Sequence, residues 1–316
     1  MTDMRKCLRG VVLVILLSLA LPGIAKVEKA KVKELYYLFD TDAKTATVTH
    51  AHPGEVKYIT DIAKSNEAYA AGTVVIPSIV KYNGIKYRVK AIGERAFEKS
   101  PIKRVMILSP VSTIGKLAFS GSQLQSVTIN APDIKLGPFC FDLCKNLTNI
   151  ELPEGLKEIP EGCFRGCGMQ KIIIPGSVYE IGEGAFASCR NLQAIDFPNR
   201  ITVLANSLCN QCTSLQSVTL GPKVTTIGSW VFNGCTSLKK INIPATVSKI
   251  GEEAFKDCTN LQKLQLPTNV VLGQRAFSGT VMERKANSTK STTSKTPAKK
   301  TPTTKPTTKK RTSIYD

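Results

Sequence analysis

The sequence is poor in the side chains that most often carry catalysis or bind metals. It has two histidines in 316 residues, His50 and His52. They stand as His-x-His just before Pro53-Gly54, a setting that reads as a loop and not as a metal site. There is no third histidine, and no Ser, Asp or Glu group stands apart from the surrounding pattern. Neither a triad nor an acid–base pair emerges, so no enzyme, cofactor or metal is expected. Asp40-x-Asp42 has the opening of a calcium loop without its glycine or distal glutamate, and reads as a solvated turn. Acids are scarce as well: 24 Asp/Glu stand against 43 Lys/Arg, giving a formal charge of +19. Apart from Val11 to Leu21, no stretch is apolar enough to be weighed as a membrane span, and that run is short for one.

That run has a different reading. Arg5, Lys6 and Arg9 precede it, and Gly23-Ile24-Ala25 follows. A basic head, a short apolar core and a small-residue end are expected to form a secretory signal peptide over 1–25, cut after Ala25. Cys7 lies before the apolar core, where it is not placed to be a lipoprotein anchor. The mature chain is therefore expected to be exported, at the cell surface, in the periplasm or outside the cell, with no transmembrane span.

What the chain has in abundance is a repeat. The copy Ile181-Gly182-Glu183-Gly184-Ala185-Phe186 continues to Cys189, Leu192, Ile195, Phe197 and Pro198. Its Phe position recurs at Phe97, Phe119, Phe141, Phe164, Phe186, Cys209, Phe232, Phe255 and Phe277, in steps of 22 or 23 residues. That period, with Leu-x-x-Ile-x-Leu inside it, predicts an α/β leucine-rich solenoid of about nine coils over 91–280. In Leu147-Thr-Asn-Ile150-Glu-Leu152 the alternation gives a strand with one buried face. Pro153, Pro175, Pro198, Pro244 and Pro267 end such strands, because proline has no N–H for the ladder. The Gly of Ile-Gly is expected to permit an unusual turn, and Ala-Phe to form a short helical turn whose ring fills the core. Coils should stack about 4.8 Å apart.

The cysteines follow the same phase. Cys144, Cys167, Cys189, Cys212, Cys235 and Cys258 lie three residues after the Phe position. Cys140 and Cys163 occupy the place of Ala96, Ala118, Ala185 and Ala254. Their spacing resembles a four-Cys zinc site, but the repeat already accounts for all four positions. Bridges between stacked coils are the other reading; buried thiols are favoured, since equivalent side chains point the same way.

The phrases Ile92–Phe97, Ile114–Phe119, Ile181–Phe186 and Ile250–Phe255, with Leu147–Pro153 and Leu238–Pro244, resemble the BspA-like, treponemal-type leucine-rich repeat family. The resemblance implies an exported or surface protein that binds other proteins, often host matrix components. It fixes no binding residue. Three departures stand out: Cys209 replaces Phe, Pro160 replaces the Gly after Ile159, and the first two coils lack the Cys.

Residues 26–90 are read as a β-rich cap, since an open solenoid end needs cover. Strands are expected at Glu34–Phe39 and Thr45–Thr49, and at Thr73–Pro77 and Lys86–Val89 about the turn Asn83-Gly84. The outward strand positions form the candidate protein-binding face: Met106, Thr128, Glu151, Ile173, Asp196, Thr219, Asn242 and Gln265 in one row, with Lys171, Lys240 and Lys263 in the next. The same positions also fit a plain solvated sheet. Residues 281–316, at +8, are Lys, Thr, Ser and Pro with little to bury, and are expected to be disordered. They read either as a tether to an anionic polymer or as a soluble spacer. Specific nucleic-acid binding is not expected, since Tyr315 is the only aromatic there.

Overall fold

The computed structural model describes residues 27–51, 64–67, 69, 72–262 and 264–281. The expected signal peptide, His52, Lys263 and nearly all of the basic tail lie outside these residues. The cap opens with an antiparallel meander of β1 (Val27–Val32), β2 (Leu35–Asp40) and β3 (Thr45–Thr49). Strands β4 (Thr73–Ile76), β5 (Ile79–Tyr82) and β6 (Ile85–Ile92) follow. The turn Asn83-Gly84 joins β5 to β6, not to the Thr73 strand as expected from sequence, and both its residues have positive φ, as a two-residue hairpin with this twist requires. Strand β4 instead lies parallel to β7 (Arg104–Leu108), so the cap supplies the first rung of a repeat sheet.

Beyond the cap the chain winds as a β-solenoid of about eight turns. The nine marks seen in the sequence enclose eight full circuits. Each circuit has three sides. The first is the Leu-x-x-Ile-x-Leu strand, where β4, β7, Ser126–Asn130 and Asn149–Glu151 stack in parallel. A second stack holds Ala194–Asp196, Ser217–Thr219 and Lys240–Ile241, with Lys171 bridging to Ala194.

The second side is the Ile-Gly segment. There the glycines are needed for closeness, not for an unusual φ. A Cβ on Gly115 would fall 2.6 Å from the backbone N of Glu94, and one on Gly137 would fall 2.6 Å from that of Lys116. Close approach lets Gly115 and Gly137 donate N–H to Ile92 and Ile114 of the coil before. The stack is broken in two places, before Glu158–Ile159 and before Val203–Leu204. Those are the coils in which Pro160 and Ala205 replace the glycine. Proline has no N–H to donate, and alanine carries the Cβ that the gap excludes.

The third side corrects the helical expectation and the α/β label with it. Among the described residues, helix is confined to 64–66 and residue 281. At the Ala-Phe segment every coil carries two residues with positive φ, four apart: Arg95 and Lys99, Leu117 and Gly121, Phe139 and Leu143, and onward. A right-handed helix cannot hold such residues. Alternate N–H groups therefore point to different partners. Arg95, Phe97 and Lys99 donate to Lys116, Ala118 and Ser120 of the next coil, while Ala96, Glu98 and Ser100 bond back within their own coil.

Inside, the Phe rings stack. Phe97, Phe119, Phe141, Phe164 and Phe186 follow with centroids 5.1, 5.3, 5.6 and 5.8 Å apart, and Phe232, Phe255 and Phe277 continue at 5.3 Å. Cys209 interrupts the column. The adjacent position compensates, because Leu208, fully buried, stands where most coils have Ala or Cys. A small-for-large and a large-for-small exchange side by side keep the core volume.

Candidate interaction face

The first side of the solenoid carries the residues that the sequence singles out. The alternation of each strand puts Val105, Val127 and Ile195 inside and their neighbours outside. Parallel register then aligns Val75, Met106, Thr128 and Glu151 across four strands, and Asp196 with Thr219 across two more. Lys171, Ala194, Ser217 and Lys240 form the neighbouring line. Met106, Thr128, Glu151, Lys171, Ile173, Asp196, Thr219, Lys240, Asn242 and Gln265 are all exposed. Ile173 is the most exposed large apolar side chain among the described residues, at 72%.

The face is not one uninterrupted sheet. Pairing stops between Asn149–Glu151 and Lys171, so Ile173 stands at the gap between two stacks. Asn242 sits just past the paired strand Lys240–Ile241, and Gln265 lies in the next coil, where the described residues form no strand on this side; both flank a concavity of about 1000 Å³ that Lys240 also lines. Val75 was missed in the sequence, because the cap strand gives no sign that it pairs parallel to β7; its aliphatic side chain is 47% exposed and extends the Met106 row.

The cysteines belong to the turn side. The nine described ones are buried and unbridged. Cys144, Cys167, Cys189, Cys212, Cys235 and Cys258 each donate S–H to the carbonyl of the Phe-position residue one coil earlier, at 3.0 to 3.2 Å. Burial raises the thiols of Cys167, Cys189, Cys235 and Cys258, the last to about 12, so these four stay protonated and unreactive at neutral pH. Cys140 and Cys163 meet at 3.4 Å between sulfurs. No cluster of three or more metal-ligating side chains exists among the described residues.

The model of the BspA type leucine rich repeat region matches residues 78–193 and 180–295, in six copies. The chain belongs to the BspA-type leucine-rich repeat family. This is a family of repeat scaffolds, consistent with a role in protein interaction. The chain is similar to a leucine-rich repeat protein of T. pallidum, with 25% identity over 74% of this chain and 90% of that one, at a TM-score of 0.48. The pneumococcal vaccine antigen PcpA shares the fold, with 16% identity over 80% of this chain and 79% of that one, at a TM-score of 0.51. A leucine rich cell surface protein of Faecalibacterium prausnitzii A2-165 has 21% identity over 79% and 92%, at a TM-score of 0.31. No curated protein matches the chain. Among the described residues no helix is long and apolar enough to cross a membrane.

Proposed function

We propose that this protein is an exported scaffold, secreted or held at the cell surface, that binds a protein ligand through its strand face, in protein-protein interaction or adhesion, a host matrix protein being one candidate ligand. The observation that carries the reading is the aligned, exposed row from Val75 through Met106, Thr128 and Glu151, followed by Ile173 at the gap. A long strand face with isolated apolar side chains among polar ones suits a protein surface better than a small molecule. The family and the surface description of the F. prausnitzii protein support it. Met106, Thr128, Glu151, Lys171, Ile173, Asp196, Thr219, Lys240, Asn242, Lys263 and Gln265 are the contact candidates.

The test is binding of the full mature chain to purified matrix proteins at low and high salt. Met106→Asp with Ile173→Asp should weaken binding about a hundredfold without changing the circular dichroism, as losing two contact anchors would. Unchanged affinity in that variant sinks the reading. A second reading rests on the +8 carried by residues 281–316, which suits a tether to an anionic envelope polymer. It requires association that vanishes at high salt and survives the face substitutions.

A further inference from the structure

The turn side has one vacancy. Six of its glycines have positive φ: Gly121, Gly162, Gly166, Gly184, Gly234 and Gly279. Five of them are roofed by a side chain leaning over from the coil before: Lys99, Phe139, Leu143, Gln211 and Asp257 cover Gly121, Gly162, Gly166, Gly234 and Gly279. Gly184 is not roofed. A Cβ there would meet nothing closer than Ala187 of its own turn, at 3.8 Å. The residue one coil earlier that should lean over it is Gly162, which has no side chain to offer. The result is a groove of about 480 Å³ between Phe139 and Ser207.

The walls of the groove have a definite charge. Arg165 stacks over the Phe139 ring, 5.4 Å from its centroid, and gives two hydrogen bonds to the buried carboxylate of Asp142, at 2.8 and 3.0 Å. Its charge is therefore matched within the protein. Glu161 and Glu183 are not matched. They occupy the same repeat position in neighbouring coils, both are exposed and both line the groove. Neither has an ion pair or side-chain hydrogen bond among the described residues. Like charges at the same turn position of neighbouring coils repel. Asn210 also lines the groove, and its buried Oδ1 has no hydrogen-bond partner among the described residues. The surroundings repeat the sign. Residues 149–187 hold six glutamates and three Lys/Arg, whereas residues 27–148 carry +6 and 188–281 carry +5.

We propose that the groove at Gly184 is a socket for one lysine or arginine side chain of a protein partner, presented on an extended segment that crosses the turn side. The aliphatic stem lies over Gly184, where the missing roof would be, and the charged end sits between Glu161 and Glu183. A neutral side chain of equal length would fill the space and leave the carboxylates uncompensated, so the socket selects for positive charge. This surface is separate from the strand face and does not depend on it.

The test titrates full-length, isotopically labelled protein with a tetralysine peptide, and with the same peptide acetylated on every lysine. The expected result is saturable shifts at the amides of Gly184, Ser188 and Ser207 with the charged peptide only. Glu161→Gln with Glu183→Gln should weaken this binding about tenfold, the loss of charge-assisted hydrogen bonds at a partly exposed site. Gly184→Asn, which tolerates positive φ, should block the socket while leaving the circular dichroism unchanged. Shifts spread evenly over the acidic coils, equal response to the acetylated peptide, or unchanged affinity in the glutamine variant would each overturn the proposal. Binding that appears only once the tail lysines are changed to glutamine would overturn it too, by making the chain's own tail the occupant.

Discussion

At the N-terminal end of the solenoid the ring of Tyr69 lies on Phe97, 4.9 Å between centroids, where an earlier Phe would be. The Asn66 amide donates to the carbonyls of Arg95 and Glu98 and accepts from Ala51 N–H, while Val48 accepts from Gly93. The cap thus supplies a ring and hydrogen-bond partners where a preceding coil would. At the other end Leu272 is 46% exposed, whereas its counterpart Ile92 in the first coil is fully buried. Phe277 is only half-buried, and its N–H, which in Phe255 reaches Ala276, has no acceptor among the described residues. Since each coil contacts only its neighbours, a coil with one neighbour keeps about half of its interface. The difference teaches that the repeat stabilises only in pairs, and that an end is built from whatever restores the missing partner's ring and N–H groups.

The strongest way to break this comparison is to remove a ring from each end. Phe97→Ala should cost about 4 kcal/mol in urea unfolding, and Phe277→Ala about 2 kcal/mol, because the second ring has already lost half its packing. Equal costs would mean that the C-terminal end is covered as well as the N-terminal one. Amide exchange sharpens the contrast without mutation: the Phe97 N–H should exchange about a hundredfold more slowly than the Phe277 N–H. Asn66→Ala should cost about 2 kcal/mol, since it strands buried carbonyls and one N–H at once. The smallest effect runs the other way. The first coil carries Ser100 where the third and later ones carry Cys, and its buried hydroxyl has no partner among the described residues. Ser100→Ala should raise stability by about 1 kcal/mol in the same unfolding measurement.

Much of this was legible in the residues. The 22- to 23-residue period gave the solenoid, and the alternation around Ile150 gave the strand and its outward row. The buried thiols followed from their phase, since a residue type repeated in every coil occupies one environment. The turn side was misread as helical because Ala-Phe favours helix locally, and no sequence rule marks Arg95, Leu117 or Trp230 as residues with positive φ. Their conformation is imposed by the next coil, which takes every second N–H. The role of the Ile-Gly glycine was misread for a related reason. Its neighbour is a backbone some 22 residues away, invisible to local reasoning.

The sequence by itself thus determined the period, the inward and outward faces, the family and the place of each cysteine. These depend on spacing, and spacing is written in the chain. The tertiary structure decided where the Ile-Gly stack breaks, at Pro160 and Ala205, and which glycine stays unroofed. It also decided that Val75 joins the Met106 row and that Asn66 and Tyr69 stand in for a coil. Each of these depends on what one coil presents to the next, and that match exists only once the coils are stacked.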